Sequence, residues 1–360
     1  MVALAFAGAG FVTAIHGLAA EAVPDLQVVH VASRSDRSAR RRASQTGAVA
    51  CTYGDLPGGA DAVMVATPPA LHRREALRAL DGGAVALVEA PLAATLADAD
   101  RLVEAAEATP AAAAGAAVAA GRHHGRVGYA ENLVHSPTVA EAVAACRRIG
   151  GLTHLEVRFA QGRPDWGDHL EPAWGGGALF DLGTHAVALA LLVAAPARVS
   201  AVEAQLVAGD RLDVDDDATV TLVFDSDLRA EVRATWRAAA PTWEAQAASA
   251  GGAVRLELVP QPSVEINGVP MVLPTPPLGL ASAQLHHLGY VAQLAALASD
   301  IEAGRSPTPG PQFGRHVLEI VCAAYVSART DRPEPVPFTG PRDRTPLELW
   351  RDADAARPHR

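Results

Sequence analysis

Read from its first residue, the chain alternates short apolar runs with stretches of helical period. Val2–Phe6 is an unbroken apolar run, followed by Gly8-Ala9-Gly10 and a helical segment to about Ala22. Leu26–Ala32 repeats the strand pattern, with a basic helix over Ser35–Gln45 behind it. Ala62–Ala66 leads into Thr67-Pro68-Pro69 and a helix through Leu80, and Ala84–Val88 into a helix from Thr95 to about Ala108. Apolar strands regularly separated by helices predict parallel strands joined by right-handed crossovers, a doubly wound sheet. The alanine-rich piece Thr109–Gly121 and a strand near Arg126–Ala130 end this pattern, and the domain boundary is drawn between residues 125 and 126.

From there to residue 360 the pattern changes. A helix over about Thr138–Arg148 stops at Gly150-Gly151, and strands then dominate. They are Thr153–Ala160, Val199–Leu206, Ala218–Phe224, Leu228–Trp236, Trp243–Ala248, Val254–Val259 and Ser263–Asn267. Hairpin-sized gaps between most of them predict one large, mostly antiparallel sheet. Helices near Leu179–Val193, Ala281–Ala303 and Phe313–Ala328 are expected to cover one face. The other face is suited to a second copy, so a homodimer or homotetramer through this sheet is expected. The Pro- and Arg-rich stretch Pro333–Arg360 is expected to wrap the surface. The fold class is α/β, in two domains.

Composition narrows the chemistry. All 30 Lys+Arg residues are arginine, so Schiff-base catalysis, a lysine general base and a P-loop lysine are excluded within this chain. At most positions the absence reflects A-poor codon usage, with arginine as the surface cation. A formal net charge of -10 argues against a nucleic-acid partner. Three separated cysteines give neither a disulfide framework nor a zinc spacing, and no metal site is expected. The apolar start lacks a basic segment before it and reads as a first strand rather than a signal peptide. With no uninterrupted apolar run of about 18 residues, no membrane span is expected and the location is expected to be cytoplasmic.

Candidate chemistry sits at the strand ends. Strand-Gly8-Ala9-Gly10-Phe11-Val12-Thr13-helix matches a dinucleotide fingerprint with its third glycine replaced. Gly8 permits the tight turn, and Gly10, Phe11 and Val12 would bring backbone N–H groups to a pyrophosphate at the helix N-terminus. The second strand ends in Ser33 and Arg34, which suit the extra phosphate of NADP; Asp36 comes too late to read the ribose of NAD. NADP is therefore the expected cofactor and NAD the alternative. Thr67, Pro68 and His72 follow the third strand, and Glu89 and Ala90 the fourth, at the edge where such sheets bind ligands.

In the second domain Trp174-Gly175-Gly176-Gly177 precedes Asp181 and His185. The glycines would let the backbone pass close to a ligand. Asp181 and His185, four apart on a helix, share a face, and a carboxylate beside an imidazole suits proton transfer near neutrality. The same pattern fits a helix-start aspartate favoured by the dipole and a hydrogen-bonded core histidine. The acidic run Asp213–Asp217 reads as a solvated loop before a strand rather than a cation site.

Taken together, these motifs resemble the glucose-fructose oxidoreductase / inositol dehydrogenase / rhizopine-catabolism family, Gfo/Idh/MocA, over nearly the full length. The matching residues are Gly8-x-Gly10, His16, Ala66-Thr67-Pro68 with His72, and Glu89-Ala90-Pro91-Leu92. They continue through Gly175-Gly176-Gly177-Ala178-Leu179-x-Asp181-x-Gly183-x-His185 and Glu319-Ile320-x-x-Ala323-Ala324-Tyr325-x-Ser327. The resemblance implies a Rossmann domain followed by an open-sheet α/β domain, and NAD(P)-dependent oxidation or reduction of a sugar, polyol or related carbonyl. It implies Tyr129, Glu131, Asn132, His135 and Trp174 as substrate-side groups. The family pattern at the fourth strand end is Glu-Lys-Pro; here Ala90 holds the lysine's place, and a methyl cannot stabilise an alkoxide. Ala188 also stands where many members carry an acidic residue. An oxidoreductase with its proton relay through His185 and Asp181 is the first reading. Lyase- or epimerase-type chemistry, or a catalytically silent nucleotide- and ligand-binding protein, is the second.

Overall fold

The computed structural model describes residues 1–108, 126–209 and 212–351. The expected alanine-rich piece Thr109–Gly121 and the last residues of the Pro- and Arg-rich stretch lie outside them. The chain divides into two compact units: Met1–Asn132 with Pro276–Arg315, and Leu133–Thr275 with His316–Arg360.

The first unit is a six-stranded sheet in the order β3-β2-β1-β4-β5-β6, parallel throughout. The strands are β1 (Val2–Ala7), β2 (Leu26–Ala32), β3 (Val49–Cys51), β4 (Ala62–Val65), β5 (Val85–Val88) and β6 (Val127–Tyr129). Helices α1 (Phe11–Ala20), α2 (Asp36–Thr46), α3 (His72–Asp81) and α4 (Leu96–Glu107) intervene, so the doubly wound sheet stands. β1 and β4 lie side by side although their sequence order is broken there, which opens a crevice at their C-terminal ends.

One segment falls elsewhere than expected. The sequence pattern predicts a single helix over Ala281–Ala303 that covers the antiparallel sheet. These residues form Gln284–His287 and Tyr290–Glu302, separated at Gly289 with φ 89°. Leu285, Val291, Leu294, Leu297, Ala298 and Ile301 join Val2, Leu4, Phe6, Ala19 and Leu26 in the first unit's core. Apolar periodicity shows that a helix needs a partner, and the first sheet supplies it.

The second unit is built on nine strands in the order β14-β13-β12-β11-β7-β10-β9-β8-β15. They are β7 (Leu152–Gly162), β8 (Val199–Val207), β9 (Asp217–Phe224), β10 (Arg229–Thr235), β11 (Arg237–Ser249), β12 (Gly252–Val259), β13 (Ser263–Ile266), β14 (Val269–Pro270) and β15 (Glu334–Pro335). Among the described residues of this sheet only β7 and β10 pair in parallel; the other pairs are antiparallel. Leu155, Val157, Phe159, Val220, Leu222, Val232 and Leu256 point into the core. Many of the alternate positions on β7, β10 and β12 are charged, and cross-strand ion pairs include Arg158–Glu244 at 3.5 Å and Arg233–Asp217 at 3.3 Å. The apolar helical stretch Pro172–Ala194 is long enough to cross a membrane by length and composition, yet 78% of its most apolar window is buried inside the protein. It is a core element.

Candidate functional site

In the first unit, chemistry-bearing residues gather at the C-terminal edge of the sheet. Gly8 adopts φ 133°, and a Cβ there would lie 2.2 Å from the Ala66 carbonyl oxygen, so only glycine lets β1 and β4 end this close. At Gly10 a Cβ would meet nothing within 4 Å, which leaves open room at the start of α1. Phe11 is exposed and Val12 half-buried beside that opening. Thr13, in place of the third glycine, is fully buried and donates its hydroxyl to the Gly10 carbonyl at 2.9 Å. The close helix packing comes one turn later, where a Cβ on Gly17 would sit 2.9 Å from Thr46 Cγ2. An open glycine at a helix N-terminus fits the pyrophosphate of a dinucleotide.

Ser33 is half-buried and Arg34 exposed at the end of β2. Asp36 is engaged by Arg40 at 2.9 Å within α2. Composition does not single out Arg42, which is 7% exposed and whose guanidinium donates to the Gly10 carbonyl at 2.9 Å. Only its place on the inner face of α2 could have signalled it.

The neighbouring loops are fastened from beneath. His72 is buried and places Nε2 2.7 Å from the Thr67 carbonyl and Nδ1 3.0 Å from that of Pro91. It therefore clamps the two edge loops together, and burial holds its pKa below the usual imidazole range. Thr67 Oγ1 is buried without a partner among the described residues, and Pro68 and Ala90 are half-buried. Glu89 faces His16, Oε1 to Nε2 at 2.5 Å, and accepts from the Ala90 N–H at 3.1 Å through Oε2. Tyr290 meets the His16 ring edge-on at 5.4 Å. Tyr129, Glu131 and Asn132, expected on the substrate side, are at most 3% exposed. Asn132 is spent on the Leu288 carbonyl at 2.7 Å, and the Tyr129 ring packs 6.4 Å from Phe313. Burial, with Glu131 and Glu89 nearby, pushes the Tyr129 hydroxyl well above the phenol range.

In the second unit the glycine triplet is occupied by the protein itself. A Cβ on Gly176 would lie 2.4 Å from Phe180 Cβ, and one on Gly177 would lie 1.9 Å from the Asp215 carbonyl oxygen. Gly176 and Gly177 thus make room for this chain's own packing rather than for a ligand. Asp215 accepts from the Gly177 N–H at 2.9 Å, the Leu179 N–H at 2.8 Å and the Tyr325 hydroxyl. Burial pushes its carboxyl up to about 6, against the downward pull of those donors. The acidic run is accordingly not a solvated loop. Asp215 and Asp216 are fully buried, and Asp216 takes Arg237 at 2.6 Å and Arg163 at 3.0 Å. Sequence proximity conceals this because every one of those partners is distant along the chain.

Leu179–Gly183 forms a π-helical turn before the α-helix Thr184–Ala194, a feature frequent at functional sites. The wider turn alters the angular offset expected for residues four apart. Asp181 Oδ1 lies 3.6 Å from Nδ1 of His169, whose ring packs 4.1 Å from Trp174. His185 is half-buried, its ring 20° from the plane of Trp243 at 6.3 Å, and Trp243 stacks on Phe159 at 4.6 Å. His135 is half-buried at the end of a 3-10 turn. His169 and Trp243 had no motif to announce them. Among the described residues no group of three or more His, Cys, Asp or Glu is placed to hold a metal.

Residues 2–114 match the model of the oxidoreductase family with an NAD-binding Rossmann fold, and residues 138–268 match the GFO/IDH/MocA C-terminal domain. Among solved structures, GenD2 from gentamicin A biosynthesis, in complex with NAD, is 24% identical with a TM-score of 0.76, covering 93% of this chain and 96% of that one. Levoglucosan dehydrogenase in complex with NADH is 20% identical with a TM-score of 0.79, covering 94% and 99%. The WlbA dehydrogenase from Bordetella pertussis, in complex with NADH and UDP-GlcNAcA, is 19% identical with a TM-score of 0.73, covering 94% and 98%. Curated protein sequences give no significant match.

Proposed function

Because this chain belongs to the GFO/IDH/MocA family of oxidoreductases, whose Rossmann domain binds NAD, we propose that it moves a hydride between a nicotinamide dinucleotide and a carbon of a sugar, polyol or related carbonyl or imine compound. The observation that carries this reading is the strand–Gly8-x-Gly10–helix turn, open at Gly10 and set at the crevice between β1 and β4. A bound dinucleotide would supply the ring that accepts or donates the hydride. Gly8, Gly10, Phe11 and Val12 would hold its pyrophosphate, and Thr67, Pro68, Glu89 and Ala90 would border the nicotinamide ribose. His72 positions those loops.

When an alcohol is oxidised, its carbon gives up the hydride and its hydroxyl proton passes to the His185 imidazole, leaving the carbonyl; reduction reverses both transfers. The Trp243 ring lies 20° from the plane of His185 at 6.3 Å, and Asp181, which faces His169, is assigned with it to the proton relay. Trp174, His169 and His135 are the further groups assigned to substrate contact. Ser33 and Arg34 favour NADP(H) over NAD(H), Asp36 being committed to Arg40.

The second reading, non-redox chemistry or silent binding, is favoured by Ala90 alone, where the family's usual pattern places a lysine. One experiment separates them. Fluorescence titration with NADPH and NADH establishes binding, and sugar ketones, imines and enones are then screened by nicotinamide absorbance. Turnover is expected, with His185→Ala lowering it roughly 10²–10⁴-fold. Tight binding with no turnover across the panel would support the second reading. Arg34→Asp should shift preference from NADPH towards NADH by roughly tenfold, since it removes one charge-assisted contact; an unchanged ratio would refute the NADP assignment.

A further inference from the structure

The Gly10 turn contains a cation that no dinucleotide fingerprint requires. α2 carries Arg37, Arg40, Arg41 and Arg42, and Arg40 stays at the surface with Asp36. Arg42 turns inward and is 7% exposed. Its Nη2 donates to the Gly10 carbonyl at 2.9 Å and its Nη1 to Gln45 Oε1 at 2.6 Å, while its Nε has no partner among the described residues. No carboxylate of the described residues lies within ion-pair distance of it. A buried guanidinium held only by neutral acceptors is costly unless an anion joins it. The neighbouring space that could receive one is the opening at Gly10.

Resting on the cofactor reading above, we infer that Arg42 is the cation that offsets the pyrophosphate of the dinucleotide in this chain. It acts through the Gly10 carbonyl, which it and Thr13 together draw inward, so that the N–H groups after Gly10 face the ligand. Arg42 is thus a positioning residue rather than a ligand contact. Being buried, its charge is screened little by salt.

Calorimetry with NADH, ADP-ribose and adenosine tests this on the full chain. Arg42→Met should weaken NADH and ADP-ribose, which carry the pyrophosphate, by at least about tenfold and adenosine by less than about twofold. Arg42→Gln, which can keep the bond to Gly10 without the charge, should retain part of the pyrophosphate affinity, and Arg42→Lys, which keeps the charge as well, should recover more of it. Equal losses for all three ligands, or wild-type affinity for ADP-ribose in Arg42→Met, would overturn the inference. If the unaltered protein binds neither NADH nor ADP-ribose, the cofactor reading itself fails and takes this inference with it.

Discussion

The two glycine turns of this protein are built in opposite ways. Gly8–Gly10 is a local structure, fixed by the strand before it and the helix after it, and it leaves empty space at Gly10. Gly175–Gly177 is held from far along the chain, by Asp215, 38 residues on, and Tyr325, 148 residues on. There the space beside Gly176 and Gly177 is already filled by Phe180, Tyr325 and Asp215. The first turn is open, as the receptacle proposed for the dinucleotide must be; the second is a joint that carries the π-turn with Asp181 and, beyond it, His185. The same residue type therefore leaves open space in one unit and makes room for internal packing in the other.

That contrast can be broken most forcefully at Gly177. Gly177→Ala would drive a methyl into the Asp215 backbone, and a loss of roughly 3 kcal/mol or more is expected. Denaturant unfolding measures it; a loss below about 1 kcal/mol would mean that the joint is soft. A further test concerns Asp215. Its carboxyl, pushed up to about 6, keeps its proton in the folded state where the unfolded chain has already released it. The stability from this group is therefore complete below about pH 4 and lost as pH rises towards 6, on the order of 3 kcal/mol in all. Asp215→Asn has no such proton, so the stability gap between wild type and variant should move in the variant's favour between pH 4 and pH 7. A gap that stays constant with pH would refute it. The smallest structural effect is expected at the first turn. Gly10→Ala should change stability by less than about 1 kcal/mol while weakening dinucleotide binding roughly tenfold, because the methyl occupies only the opening. Equal dinucleotide affinity would show that the opening is not the receptacle.

Most of the first unit was legible in the sequence. Its strands are apolar on both faces, its helices are amphipathic and its turns carry Gly and Thr-Pro, so each element's identity is locally encoded. The large, mostly antiparallel sheet was also legible, from the alternation along β7, β10 and β12. The helix Tyr290–Glu302 was visible as a helix, but its allegiance was not, since an apolar stripe fits any complementary surface. The places of His72, Glu89 and Tyr129 at the strand ends are readable from the sequence, whereas their burial and partners are not.

What the sequence determined by itself is therefore the family, the parallel and antiparallel sheets, and the open turn at Gly10, all of which depend on residues close together in the chain. Tertiary structure alone decided that Asp215 is a buried anchor, that Arg42 lies behind the Gly10 turn, and that Asp181 faces His169 while His185 lies near Trp243. Those outcomes depend on which distant groups share a low-dielectric space, where one unpaired charge or one extra methyl costs kilocalories. No local pattern of residues records that.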